Sequence, residues 1–218
     1  MSILDALANE EQHTGKISGI AAGIVTNNHD PDKLGRIKIR FPWLSESNET
    51  GWVRIATLMA GSERGSFFLP EVGDEVLVAF EHGDINYPHV IGFLWNGVDK
   101  PPETNSDGKN NIRKIRSRSG HEIIFNDDNT AKKEKIEIHT NAGHKVVLDD
   151  SAGQEKIEIV DKSASNKIVI DSVQNSINME SAMQLKIKAQ MITIEAGGMM
   201  TLKAGATLTI QGALVKIN

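Results

Sequence analysis

The chain has 218 residues, is 39% hydrophobic and 24% charged, and carries a formal net charge of −5, a composition typical of globular proteins. It has no cysteine, which excludes disulfides, thiolate metal sites and a cysteine nucleophile. No apolar stretch approaches the roughly 20 residues of a membrane-spanning helix, and the start, MSILDALANEEQ, lacks the pattern of a signal peptide. We therefore expect synthesis in the cytoplasm, with any extracellular location reached by another route.

Charge and aromatic residues divide the chain into two parts. Residues 1–110 have a net charge of −7, whereas residues 111–218 have a net charge of +2. Nine of the ten aromatic residues lie between Phe41 and Trp95. A conventional mixed core is therefore expected first, followed by a region that is almost purely aliphatic.

The N-terminal arm, residues 1–17, contains Ile3, Leu4 and Leu7, a spacing that fits a short amphipathic helix. These three residues are a weak candidate for docking on a partner subunit. A frayed terminus explains the same residues equally well.

The pattern of residues 18–98 predicts five short strands, at 20–26, 35–41, 51–57, 75–81 and 89–95. In the second of these, Ile37, Ile39 and Phe41 alternate with basic residues, which indicates one buried face. The fourth is apolar enough for burial on both faces. Five short strands separated by Gly- and Pro-containing turns favour an OB-fold barrel.

Residues 99–118 are predicted to be a linker or junction, since they open with the polar run DKPPETNSDGKNN. Loose repeats begin at residue 119. The segment 120–128, GHEIIFNDD, resembles 143–150, GHKVVLDD, with a weaker copy at 166–171, and EKIEI occurs at both 134–138 and 155–159. The repeats predict a β-rich region that extends to residue 218.

The repeats become shorter and more regular in the tail, residues 185–218. Apolar-polar-apolar units begin at residues 185, 192, 200, 208 and 215, with steps of 7 or 8 residues. This alternation predicts short strands with one buried face, arranged as a repeat.

Such strands bury little apolar area within one chain, too little to offset roughly 1–2 kcal/mol of backbone entropy per ordered residue. We therefore predict an all-β fold in which copies of this chain wrap around one another, with the aliphatic stripe facing a common axis. The tail also lacks proline, as expected if every N–H is needed in a ladder. The alternative is a single-chain β-domain ending in hairpins, although no Asn-Gly or Asp-Gly turn follows Gly108.

Four blocks in order carry a resemblance to a known family: GIVTNNHDPDKLGRIKIRFPWL, GWVRIATLMAG, FFLPEVGDEVLVAFEHGDINYPHVIGFLWN and IRSRSGHEIIFNDD. They resemble the spike proteins of contractile injection machines, namely phage baseplate assembly protein V and the VgrG spikes of type VI secretion and tail-like particles. The resemblance implies a homotrimer with an OB-fold collar. It also implies that residues 119–218 of three chains form an intertwined triple-stranded β-helix, a needle that punctures the target membrane.

The resemblance also implies partners. At most 17 residues precede the collar, whereas VgrG spikes carry a large hub domain there, which favours a phage-like protein docking on a separately encoded hub; a shortened VgrG would have the same sequence. In this family a small cone protein of the PAAR type often caps the needle. We expect the final residues to form its docking platform, composed of Gly212, Leu214, Val215, Lys216, Ile217 and Asn218.

No catalytic, metal or cofactor motif is found. The histidines lack H-x-H and H-E-x-x-H spacing, and His121 and His144 at equivalent repeat positions are interpreted as structural turn residues. In the pairs Asp127-Asp128 and Asp149-Asp150, adjacent strand residues point to opposite faces, which does not suit acid–base work on one substrate.

Binding functions are also considered. The acidic charge of the barrel half argues against nucleic-acid binding, and the one basic run, residues 113–118, is interpreted as a solvated junction rather than an anion site. A structural, non-enzymatic piercing spike is the favoured function. The alternatives are a trimeric tail fibre or adhesin, a VgrG fragment, and a β-helical glycan-cleaving enzyme, although the repeats lack the aromatic platform expected of a glycan site.

Overall fold

The computed structural model describes residues 16–44, 47–130 and 132–217 and is all-β, as predicted. The N-terminal candidates Ile3, Leu4 and Leu7 and the terminal Asn218 lie outside these residues. The chain divides into two compact units, residues 1–106 and 107–218. The strands of the first unit are β1 Ile20–Asn27, β2 Lys38–Arg40, β3 Arg54–Ile55, β4 Ala60–Gly61, β5 Arg64–Gly65, β6 Glu75–Phe80 and β7 Pro88–Leu94.

The first unit is a five-stranded sheet with the order β2-β1-β6-β7-β3, in which β3 runs parallel to β7 and the other pairs are antiparallel. Its two edges approach each other through paired backbone hydrogen bonds between Ile37 and Val53, at 3.0 and 2.7 Å. The sheet therefore curls into the small barrel expected of an OB fold. Strands β4 and β5 form a separate short hairpin.

The barrel interior is filled by alternating strand residues. Val76, Val78 and Phe80 of β6 are buried, while the residues between them are half-buried, so β6 alternates more clearly than its composition suggested. The rest of this core comes from β1, the β2 region, Val53 and β7: Val25, Ile37, Ile39, Phe41, Val53 and Val90. Aliphatic alternation thus fixes which face of each strand turns inward.

The second unit is a seven-stranded antiparallel sheet in which every strand pairs with the next along the chain. Its strands are β8 Ile112–Arg116, β9 Glu122–Asn126, β10 Lys135–His139, β11 Lys145–Asp149, β12 Lys156–Val160, β13 Lys167–Asp171 and β14 Ser176–Glu180. Strand β8 lies inside the segment predicted to be a linker, which therefore ends before Ile112. Each strand has five residues, and the registers contain no bulge.

The absence of Asn-Gly and Asp-Gly turns from this region is an argument against hairpins within one chain, and these hairpins show that this argument is wrong. Gly120 and Gly143 supply positive φ angles of 82° and 100°, each at the end of a turn closed by a backbone bond from the glycine to Ser117 or Thr140. Ala164 adopts φ 58° in the corresponding third turn. A turn followed by one left-handed residue joins antiparallel strands as well as a two-residue turn does. Strands β8 to β14 therefore find their ladder partners within one chain.

The tail behaves differently from this sheet. Residues 181–217 contain no strand, and no backbone–backbone hydrogen bond joins them to another described residue. Bends occur at residues 190, 197–198, 205–206 and 213, between the predicted strand units. The repeat of 7 or 8 residues is thus present, but it forms no strand ladder among the described residues.

Candidate assembly interface

One face of the seven-stranded sheet is almost entirely apolar. Strand alternation and register place two parallel rows of side chains on it. One row consists of Ile115, Ile123, Ile138, Val146, Ile159, Ile168 and Met179, and the other consists of Phe125, Ile136, Leu148, Ile157, Ile170 and Ile177. We call this surface the apolar face.

The apolar face is largely exposed in the single chain. Ile138 and Ile159 are 47% and 48% exposed, although each lies in the middle of a regular sheet, whereas Val76 in the barrel core is fully buried. A contiguous apolar surface of this kind marks an interaction site. The sheet thus supplies one layer of a hydrophobic core, and a second layer is needed to bury this face.

Polar turns border the apolar face along one side. We call this side the histidine edge; it carries Ser117, His121, Thr140, His144, Asp161, Asn166 and Ser181, all of which line one groove with the first apolar row. His121 Nδ1 accepts a hydrogen bond from the backbone N–H of Asn141 at 3.3 Å. His144 Nδ1 accepts one from the N–H of Lys162 at 3.2 Å.

In the third repeat a different residue accepts the hydrogen bond from the next turn. Asn166 occupies the position equivalent to His121 and His144, and its Oδ1 accepts from the backbone N–H of Ala182 at 3.3 Å. Each turn along this edge is therefore tied to the following turn by one side-chain acceptor. The structural turn role predicted for the two histidines agrees with these bonds.

Carboxylates border the opposite side of the apolar face, which we call the acidic edge. By strand alternation it carries Asp127, Glu134, Asp150 and Glu155, followed by the neutral Ser172 and Asn175. Backbone hydrogen bonds from Asp150 to Glu134 and from Ser172 to Glu155 extend the ladder to this edge. The two sides of the apolar face therefore differ in chemistry.

The other face of the sheet is charged. Its clearest row runs Lys135, Asp149, Lys156 and Asp171, each directly opposite the next across the strands. Burial raises the pKa of Asp149, but hydrogen bonds from Ser151 and the charges of Lys135 and Lys156 outweigh burial and leave that pKa below its ordinary value. Glu137 raises the pKa of Lys135. Both pKa shifts favour the charged form, in a row where basic and acidic side chains alternate.

The basic run at residues 113–118 is paired within the chain. Arg113 forms an ion pair with Asp127. Lys114 Nζ and Arg116 Nη1 lie 3.6 and 3.3 Å from Glu122 Oε1. These contacts give the run a role within the sheet rather than as an open anion site.

The paired carboxylates are separated as predicted. Asp149 lies on the charged face between two lysines, whereas Asp150 lies on the acidic edge of the apolar face. Among the described residues, no group of three histidine or acidic side chains is placed to hold a metal ion. The same residues contain no helix long and apolar enough to cross a membrane.

The predicted tip residues lie in the extended tail. Leu214, Val215 and Ile217 are 75%, 48% and 87% exposed. Gly212 and Lys216 are exposed as well, beside the bend at residue 213. A binding role for these residues remains a prediction.

The comparisons with known proteins agree with this architecture. Residues 21–95 match the family described as the OB domain of type VI secretion system and phage-baseplate injectors. The chain is 36% identical over 116 residues to the type VI secretion system spike protein VgrG3 of Vibrio cholerae, which covers 50% of this chain and 11% of that protein. It is 29% identical over 143 residues to the spike protein VgrG1c of Pseudomonas aeruginosa, covering 60% of this chain and 20% of that protein.

A further relative carries a toxin name. The actin cross-linking toxin VgrG1 of Vibrio cholerae is 35% identical over 116 residues, which are 10% of its length. The chain thus spans about a tenth to a fifth of the relatives that it matches.

Fold and similarity together define a class, that of all-β proteins with an injector OB barrel followed by a repetitive β-region. The resemblance predicted from the sequence is confirmed: residues 21–95 form an injector OB domain, and the chain is similar to spike proteins of the VgrG type. The two edges of the apolar face were not predicted. The signal was present in the repeated pattern of a Gly-His pair, five strand residues and an aspartate.

Proposed function

We propose that three copies of this chain form a structural spike of a contractile phage tail, a tail-like particle or a type VI secretion system. The observation that supports this most strongly is the exposed apolar face. About ten of its side chains are roughly half-exposed, so covering them contributes on the order of 10 kcal/mol per chain. Three such faces packed around one axis supply the missing layer.

The tail supports the same assembly. Its units keep the repeat of 7 or 8 residues, with apolar residues at alternating positions, but they have no ladder within one described chain. Backbone groups that leave water need hydrogen-bond partners. In the proposed needle, residues 185–217 of the three chains provide those partners for each other.

In this function the barrel is the collar and the repeats are the needle that penetrates a target membrane. The N-terminal arm, with Ile3, Leu4 and Leu7, docks on a separate hub, and the platform at residues 212–218 carries a small tip protein. The chain acts mechanically and not as an enzyme, and it binds neither nucleic acid nor a cofactor. The spike names of its relatives favour this role over a glycan-binding fibre.

The assembly is tested by light scattering of the full-length chain, which should give three times the chain mass of 23.8 kDa. Ile159→Asp places a charge in the middle of the apolar face and should abolish the trimer. Glu158→Gln, the neighbouring residue on the charged face, should leave it intact. A monomeric wild-type chain at micromolar concentration contradicts the proposal, as does an I159D variant that remains trimeric.

The tip platform is tested by a pull-down of a PAAR-type tip protein with the full-length chain and with a chain that ends at Gln211. We expect capture only by the full-length chain. Equal capture by both places the tip protein elsewhere on the spike. Absence of capture by either chain, with a soluble full-length trimer, contradicts a capped tip.

The docking arm is tested in the same way with a hub protein. Replacing Ile3, Leu4 and Leu7 together by serine should reduce hub capture without changing the trimer mass. Unchanged capture assigns hub docking to another surface.

A further inference from the structure

The two edges of the apolar face differ in a way that suggests how neighbouring copies meet. Strand β9 is flanked by His121 and Asp127, and β11 is flanked by His144 and Asp150. Strand β13 is flanked by Asn166 and Ser172, so its histidine and its aspartate are both replaced by neutral residues. The residues that flank the two ends of a strand thus change together from charged or titratable to neutral, although one lies at the histidine edge and the other at the acidic edge.

We propose that the histidine edge of each chain binds the acidic edge of the next chain, with His121 facing Asp127 and His144 facing Asp150 of the neighbouring copy. This inference rests on the trimer proposed above and specifies the contacts between its subunits. In a closed threefold ring, one side of each subunit meets the opposite side of its neighbour, and equivalent strands lie at the same height. The start of one β11 therefore meets the end of the next.

The protonation of the imidazoles supports this pairing. A neutral imidazole has one donor and one acceptor nitrogen. Because Nδ1 of His121 and of His144 accepts a backbone N–H within the chain, the proton of each neutral ring lies on Nε2. Each ring therefore presents an N–H donor beyond the groups it already binds, and a carboxylate is a strong acceptor for it.

Two further acidic groups at these edges, Asp161 and Glu155, accept hydrogen bonds within the chain. Asp127 also pairs with Arg113 within the chain, through Oδ2, so the proposed contact with His121 uses its other oxygen, Oδ1. Asp161 accepts hydrogen bonds from the Ser163 hydroxyl and from the backbone N–H and side-chain amide of Asn166. Glu155 accepts one from the backbone N–H of Gly153 at 3.1 Å. We call the contact between the histidine edge of one chain and the acidic edge of the next the seam. Strand β12 carries an acid at each end, but both acids are already bonded within the chain, so β12 needs no histidine at the seam.

Contact within one chain cannot produce the pairing. Five strand residues lie between His144 and Asp150, so the two Cα atoms are six rises of about 3.3 Å apart, which is about 20 Å. This distance is well beyond hydrogen-bond reach and about twice the Debye length of roughly 8–10 Å at moderate salt. Energetic coupling between the two side chains therefore reports contact between copies.

A double-mutant cycle on the full-length trimer tests the seam, with the concentration-dependent dissociation constant as the readout. His144→Asn keeps an acceptor for the Lys162 N–H, as Asn166 shows in its own turn. Asp150→Asn removes the carboxylate. We expect each single variant to weaken the trimer and the double variant to be little weaker than either, with a coupling of roughly tenfold or more because three equal contacts are lost together.

The matched control is Asp149→Asn, one residue earlier on the charged face, which should show no coupling to His144→Asn. A trimer without coupling between residues 144 and 150 overturns the seam and leaves the proposed spike standing. Equal coupling for residues 149 and 150 also overturns it. A wild-type chain that is not trimeric removes the proposed function itself.

Discussion

Arg36 donates two hydrogen bonds to the Asp30 carboxylate, from Nε at 2.9 Å and from Nη2 at 2.8 Å. The same carboxylate accepts the backbone N–H groups of Asp32 and Leu34, both at 3.1 Å. Only 3% of the Asp30 side chain is exposed. One buried anion thus organises the turn that connects β1 to β2 of the barrel.

We expect Asp30→Asn to lower the thermal unfolding midpoint of the barrel, because an amide cannot replace the paired, charge-assisted bonds to Arg36. Tryptophan fluorescence measures this, since all three tryptophans, Trp43, Trp52 and Trp95, belong to the first unit. His29→Asn, an exposed change in the same turn, is the control and should leave the midpoint unchanged. An unchanged midpoint in D30N contradicts this account of the turn.

The Asp30–Arg36 ion pair also predicts that the stability of the barrel depends on pH. Arg36 and the backbone donors hold the pKa of Asp30 well below its ordinary value, so this group stabilises the fold fully above about pH 4. That contribution decreases as the pH falls towards the lowered pKa. The difference in unfolding midpoint between wild type and D30N should therefore shrink from pH 5 to pH 2.5. A difference that is constant over this range would show that the Asp30 charge is not involved.

Turn-to-turn bonding predicts a contrast between two changes at one residue. His144→Ala removes the acceptor for the Lys162 N–H and should cost about 1 kcal/mol locally. Hydrogen exchange at the Lys162 amide should then become roughly fivefold faster. His144→Asn should preserve most of the protection, as Asn166 does for Ala182. Equal protection in both variants would show that the imidazole does not hold this turn.

Proline in the tail tests whether its N–H groups bond between chains. Thr193→Pro or Thr209→Pro removes one donor per chain and should abolish the resistance of the trimer to unheated SDS. The missing donor leaves a ladder carbonyl unsatisfied, at a cost of about 1–3 kcal/mol at each of three sites. Thr193→Ser and Thr209→Ser retain the donor and should resist like the wild type. SDS resistance in the proline variants would place these residues outside any ladder.

The barrel was predictable from sequence because its core follows strict alternation, as in Ile37, Ile39 and Phe41. The pairing of strands β8 to β14 with one another within a single chain was not predictable. The absence of Asn-Gly and Asp-Gly turns does not exclude hairpins, because Gly120, Gly143 and Ala164 provide the left-handed residue instead. The repeat of 21 to 23 residues, containing two strands and two turns, already indicated that equivalent residues return to the same side of a sheet.

The interface was harder to predict for a different reason. Which aliphatic residues share a face depends only on alternation, and those rows could be anticipated. Which polar residues border that face depends on turn length as well, because one residue more or less in a turn shifts the register and moves a side chain to the other face of the sheet. Asp149 and Asp150 are adjacent in sequence, but the register assigns one to the charged face and the other to the edge of the apolar face.

The alternating row Lys135, Asp149, Lys156 and Asp171 has a consequence for movement through a lipid bilayer. Neighbouring strands lie about 4.8 Å apart, so opposite charges recur at distances shorter than the Debye length. Their potentials cancel within a few ångströms of the surface. If the chain forms the proposed needle, a shaft with this exterior neither adheres to anionic headgroups nor is repelled by them. The energy needed to drive it forward would then be set by opening the bilayer rather than by charge.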